Sequence, residues 1–298
     1  MFFRLSQIAF LLLCQIAMAQ APIAGLSSEQ CPEKPSWSDP ARPAHIFGNT
    51  WYVGTCGISV ILITSAKGHV LFDGATDDAV PSIEANIRAL GFKVEDIKFV
   101  LSSHEHLDHA GGIARLQKDS GATVVARDPA ATTLQRGSND RSDPQFGLLK
   151  GFAPISAIRR IKNGETLALG DISVTAHATP GHTVGSTSWT WKSCESGECR
   201  NMVYADSLTA VSADDYRFSD EQAHPGVIAG FRKAFKVVAD LPCDILLTPH
   251  PGASHLFARL GPGATEALID ANGCVHYAED ATKTLDARLA KERSAVKP

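Results

Sequence analysis

Apolar positions along this chain recur in short runs with a period of two, alternating with longer runs at a spacing of three and four, so strands and helices are both expected. Extended segments fall over residues 46–53, 58–64 and 69–72, each bounded by glycine. Val80, Ile83, Ile87 and Leu90 then keep helical spacing over 78–90, and the run stops at Gly91, where a helix C-terminal glycine belongs. A buried strand over 97–101, a helix start over 112–118, a strand over 122–126 and a helix over 129–135 follow. Residues 136–154 break the pattern with Gly, Ser, Asn, Asp and Pro and predict a long loop, more often functional than idle in a compact domain. Beyond it, strands are expected near Ile158 and over 166–169, 172–178, 187–191 and 202–204, then a helix over 227–238, a strand over 244–247 and two helices after His255. Trp189 and Trp191 share one strand face and are assigned to packing, as are Trp37 and Trp51. Strand and helix alternation without an intervening linker predicts one α/β domain with its sheet covered by helices.

Composition changes the picture mainly through cysteine. The 298 residues carry a formal charge of -4, with 44% hydrophobic and 20% charged positions, an ordinary globular balance that gives no electrostatic reason to expect nucleic acid. Seven cysteines are too few for a disulfide miniprotein and many for a cytosolic enzyme. The first nineteen residues, with Arg4, an apolar run over 8–13 and Ala17-Met18-Ala19, read as a secretory signal peptide ending in A-x-A. Gln7 and Gln15 interrupt the run well short of the roughly 20 apolar residues of a membrane span. The expectation is therefore a signal peptide over 1–19, one domain over 20–298 and a periplasmic protein with no membrane anchor in its mature form. Losing the leader removes Cys14 and leaves six cysteines, an even number suited to disulfides. Six allow 15 pairings. Cys194 with Cys199 is the easiest, since E-S-G-E between two strand-like segments reads as a hairpin turn; Cys31 with Cys56 and Cys243 with Cys274 then keep the remaining loops short. No C-x-x-C occurs, which weighs against a cysteine metal site.

The chemistry concentrates in Ser103-His104-Glu105-His106-Leu107-Asp108-His109, between an expected strand and a Gly-rich helix start. Three histidines and an aspartate so close together cannot all be core side chains, because each buried imidazole needs a partner; as a cluster they are metal ligands. His104-Glu105 begins a zincin motif, but H-E-x-x-H requires histidine where Asp108 stands. Glu105 is read instead as pointing away from the metal and capping nearby backbone. His182, in Thr-Pro-Gly-His-Thr, and His250, in Thr-Pro-His-Pro, occupy two more strand-end loops. Together these residues suffice for two metals with three protein ligands each.

The set S-H-E-H-L-D-H, P-G-H-T, Y-A-D-S-L and T-P-H-P resembles the metallo-β-lactamase superfamily over nearly the whole chain from Ile46 onward, and its detail is similar to subclass B3: Ser207 stands where other β-lactamase subclasses place a metal-binding cysteine. The resemblance implies a single-domain, four-layer αββα sandwich with His104, His106 and His182 holding one zinc and Asp108, His109 and His250 a second. It implies hydrolysis of penicillins, cephalosporins and carbapenems by a zinc-activated hydroxide, with Asp108 both binding the second zinc and orienting the nucleophile. Ser207 and Thr209 match positions used for the substrate carboxylate, and Gln145 could donate to a substrate amide. The expected partners are small-molecule β-lactams, and the expected state is a monomer. Two other readings stay open: a glyoxalase II-like thioesterase or lactonase of the same fold, in which Asp206 would bridge the metals, and a non-catalytic periplasmic zinc-binding protein.

Overall fold

The period-two apolar segments pair into two sheets in the computed structural model, which describes residues 31–295; the expected leader over 1–19 lies outside them. In the first sheet β1 (Ala44–Phe47), β2 (Thr50–Tyr52), β3 (Ile61–Ile63) and β4 (His69–Phe72) run antiparallel, and β5 (Ile97–Leu101), β6 (Thr123–Arg127) and β7 (Ile158–Ile161) continue in parallel, in sequential order. The single strand expected over 46–53 is thus a hairpin, because Gly48 takes a left-handed φ of 55° and reverses the chain. In the second sheet β8 (Thr166–Leu169), β9 (Ile172–Ala178), β10 (Thr187–Glu195) and β11 (Glu198–Tyr204) form an antiparallel meander, and β12 (Ile245–Leu247) joins β11 in parallel. The β10–β11 hairpin is longer than the pattern suggested. Ser196 and Gly197, at φ 50° and 84°, make its two-residue turn, and Cys194 pairs with Cys199 in register and by a disulfide. The pairs Cys31–Cys56 and Cys243–Cys274 also form as expected.

Alternate residues of the strands divide the interior into three cores and so fix four layers. Val70 and Phe72 of β4, Trp189 and Trp191 of β10 and Tyr204 of β11 meet between the two sheets. Leu71 and Val100 point the other way, onto α1 (Val80–Ala89), α3 (Ile113–Ser120) and α4 (Asp128–Arg136). Val203 and Leu246 face α5 (Val227–Asp240) and α6 (Gly273–Ala295) in the third core. The result is the single-domain αββα sandwich. Trp51 packs edge-on to Phe92, while Trp37 is exposed rather than packed.

Two expectations about helices need correction. Of the two helices placed after His255, one is only a 3-10 turn, Leu256–Arg259, because Gly261 and Pro262 end it. A short helix, α2 (Leu107–Ala110), went unread, and it carries Asp108 and His109. Residues 137–157 form no helix or strand, the long loop expected there. No helix among the described residues is long and apolar enough to cross a membrane.

Candidate metal centre

The histidine-rich motif begins directly after β5, at the C-terminal mouth of a parallel strand, where a sheet exposes backbone and side chains to a cleft. His182 follows β9 and His250 follows β12, so strand ends from both sheets meet there. The rings of His104, His106 and His182 form a nearly equilateral triangle with centroids 4.8–4.9 Å apart and planes crossed by 72–89°. Their nitrogens lie within 4.8 Å of one another, and all three residues are buried. Beside them, Asp108 Oδ2 lies 3.1 Å from His109 Nε2 and 3.5 Å from His250 Nε2, and the two nitrogens are 3.3 Å apart. Metal–ligand bonds of 2.0–2.1 Å in a tetrahedral site put ligand atoms about 3.3 Å apart. His104 also lies within ligand range of Asp108 and His109, so the two groups are adjacent.

The outward nitrogens explain why the inward ones converge. His104 Nδ1 donates to Asp206 Oδ1 at 2.8 Å and His106 Nε2 to Asp143 Oδ2 at 2.9 Å. His182 Nδ1 donates to the Thr209 carbonyl at 2.8 Å and His250 Nδ1 to the Gly57 carbonyl at 3.3 Å. Each bond fixes the ring and its tautomer, leaving the other nitrogen's lone pair aimed inward, the usual support of a metal-binding imidazole. His109 lacks such a bond: its buried Nδ1 is unpartnered, 3.9 Å from Asp73 Oδ2.

Burial holds His104 and His182 well below the usual imidazole range, and burial together with the charge of His109 brings His250 down to about 4. Burial works against ionisation of Asp108, but His109, His104 and His250 outweigh it and keep the carboxylate charged. His109 is buried too, yet Asp108 holds its proton more firmly than usual. The donor set therefore includes three imidazoles, those of His104, His182 and His250, that burial disposes to stay neutral, beside one ionised carboxylate, which suits a divalent cation.

Of the remaining residues expected here, Gln145 is buried, and its amide nitrogen lies 3.4 Å from His106 Nδ1 and 3.5 Å from His182 Nε2. Ser207 is buried next to Asp206, and the exposed Thr209 places Oγ1 3.2 Å from His182 Nδ1. Glu105 turns away from the cluster and accepts the Gly185 N–H, the backbone cap expected of it. Asp73 and Asp143 were not singled out by sequence reasoning. Asp73 accepts the Ser103 N–H, the Ser103 hydroxyl and the Tyr204 hydroxyl, all at 2.7–2.8 Å, and burial pushes its carboxyl up to about 6. Its left-handed φ of 60°, just beyond β4, was the only local hint, and it is invisible without coordinates.

Residues 53–250 match the family model described as "Metallo-beta-lactamase superfamily". Among solved structures, the chain is 47% identical to the metallo-β-lactamase MIM-1 from Novosphingobium pentaromativorans, with a TM-score of 0.87 over 91% of this chain and 99% of that one. It is 45% identical to MEM-A1, a subclass B3 metallo-β-lactamase from a soil metagenome library, with a TM-score of 0.83 over 87% of this chain and 100% of that one. A hydroxyacylglutathione hydrolase of Rhodopseudomonas palustris is 28% identical over 157 residues, half of each chain. The chain spans about half the length of the curated relatives it matches.

Proposed function

The chain belongs to the metallo-β-lactamase superfamily, and on that footing we propose that this hydrolase is an exported β-lactamase using two zinc ions. The observation that carries the reading is the pair of adjoining ligand groups, built on a chain alike over nearly its full length to subclass B3 metallo-β-lactamases. In this reading His104, His106 and His182 hold the first ion and Asp108, His109 and His250 the second. Three protein ligands per ion leave positions open for water and substrate, unlike a closed structural site. When bound, the ions supply a water acidified toward neutral pH and Lewis acidity at the carbonyl oxygen and ring nitrogen.

The chain's own residues perform the rest. Hydrolysis joins the water oxygen to the lactam carbonyl carbon, breaks the C–N bond and leaves a proton on nitrogen. Asp108, kept ionised by its histidine neighbours, accepts a hydrogen bond from the attacking water and orients it. Ser207 and Thr209 follow β11 and supply hydroxyls for the substrate carboxylate; the amide of Gln145 donates to the substrate near the first ion. The expected substrates are penicillins, cephalosporins and carbapenems.

The thioesterase and lactonase alternatives would need Asp206 between the metals. Among the described residues the one ion pair it makes within 4.0 Å runs from Oδ1 to His104 Nδ1, behind the ring, while Asp108 reaches the neighbouring imidazoles. The test is a substrate panel on purified protein with a metal count. Cleavage of the three drug classes, lost with EDTA and restored by zinc, is expected. A zinc-loaded protein that cleaves thioesters or lactones and leaves all three classes intact overturns the assignment.

A further inference from the structure

In sequence between His104 and His106 stands a glutamate whose buried carboxylate takes no part in the chemistry above. Glu105 is 2% exposed, and both its oxygens are engaged: Oε2 accepts the Thr183 hydroxyl at 2.8 Å and Oε1 the Gly185 N–H at 3.2 Å. Both donors belong to the turn that directly follows His182. Gly185 leaves no space there, since a Cβ would fall 2.5 Å from Glu105 Oε2 and 2.6 Å from the Ala130 Cβ. The same turn is held from another side by Arg127, whose Nε donates to Thr187 Oγ1 and Nη2 to the Ser186 carbonyl, each at 3.0 Å. Burying a carboxylate costs free energy unless it is hydrogen-bonded, and both of these bonds run to the His182 turn.

We infer that Glu105 is a positioning residue for the first metal ion: it ties the segment bearing His104 and His106 to the turn bearing His182, so that the three imidazoles stand in place before the ion arrives. The inference rests on assigning those three histidines to one ion. Without the tether His182 leaves the ring triangle for part of the time, and affinity falls with the fraction of protein in the competent arrangement. Asp108, His109 and His250 make no hydrogen bond to Glu105 or to residues 183–186, so the second ion is insulated from the loss.

The experiment is a zinc titration of metal-free full-length protein against a chromophoric chelator, with cobalt spectra in parallel, for wild type, Glu105→Ala, Glu105→Gln and Thr183→Val. Glu105→Ala should bind the first ion roughly 10–100-fold more weakly, the range seen when a support of a ligand is lost. The second ion should keep its affinity, and only the first site's cobalt bands should change. Glu105→Gln should be close to wild type, because its amide oxygen can accept the Gly185 N–H while its NH2 donates to Thr183 Oγ1. Thr183→Val should show a smaller loss confined to the first ion. Unchanged affinity in Glu105→Ala, or equal losses at both ions with a lower melting temperature of the metal-free protein, overturns the inference. Should Glu105→Ala fail to fold, Thr183→Val decides, and wild-type affinity there overturns it. A wild type that takes up a single ion defeats the two-ion reading instead, and the tether is then judged on whether the variants weaken that ion.

Discussion

Four imidazoles of the centre are backed by acceptors of two kinds. His182 and His250 lean on backbone carbonyls, which are neutral, whereas His104 and His106 lean on the carboxylates of Asp206 and Asp143. A carboxylate behind the ring makes the inward nitrogen a stronger donor as well as a better oriented one. Asp206→Asn preserves shape and removes the charge, so metal affinity should drop by roughly 10–100-fold while the fold persists. Competition with a chelator measures this directly, and wild-type affinity in the variant would rule the support out. At this scale the residues that converge were legible, because clustered histidines have no cheaper explanation. Their supports were not: Asp143 and Asp73 are isolated carboxylates in sequence, and only their distances to His106 and Ser103 give them a role.

Elements position the site through their ends, and the ends need anchors. The 3-10 turn Leu256–Arg259 is followed by an irregular stretch, and Arg259 ties the two to β12, its guanidinium donating to the carbonyls of Leu246, Ser254, Ala267 and Leu268. Helix α6 in turn pins the segment beyond Thr209: the buried Glu292 accepts the Ser219 N–H at 2.8 Å, the Phe218 N–H at 3.3 Å and Arg288 Nε at 2.6 Å. Burial opposes its charge, but these donors prevail and hold its carboxyl below the usual range. A carboxylate depressed on folding contributes stability above its unfolded value of about 4.3, and that contribution is lost as pH falls through the folded value. Glu292→Gln should therefore cost about 1–2 kcal/mol at pH 7, the scale of hydrogen bonds to a charged group. Urea denaturation should find the deficit shrinking as pH falls below the unfolded carboxylate value, and a deficit that stays undiminished into acid would refute the pin. The sequence pattern missed this arrangement because α6 carries only a weak apolar stripe and the break at Gly261 and Pro262 did not by itself reveal how short the preceding turn is.

For the whole molecule the consequence is that a metal ion held by these residues would join the two sheets. The motif over 104–109 follows β5 of one sheet, and His182 and His250 follow β9 and β12 of the other. An ion that binds only the folded chain stabilises it by mass action, about 2.7 kcal/mol when free metal is a hundred times the dissociation constant. For a domain of this size that corresponds to a melting temperature higher by about 5 °C. Calorimetry with zinc and with EDTA should show that difference, and coincident melting would mean that the sheets are not clipped together by metal.

Period-two patterning, strand-end histidines and glycine stops are local properties, so the sequence by itself determined the α/β class, most strands and helices, the disulfide pairs that close short loops and the six residues that converge. What decided the rest was tertiary. The split of the first strand at Gly48, the short helix under Asp108 and His109, and the carboxylates behind His104 and His106 depend on neighbours distant along the chain. A hydrogen bond between Asp206 and His104 spans 102 positions, and no pattern with a period of a few residues can encode it. It exists because the αββα sandwich brings the ends of β5 and β11 to the same mouth.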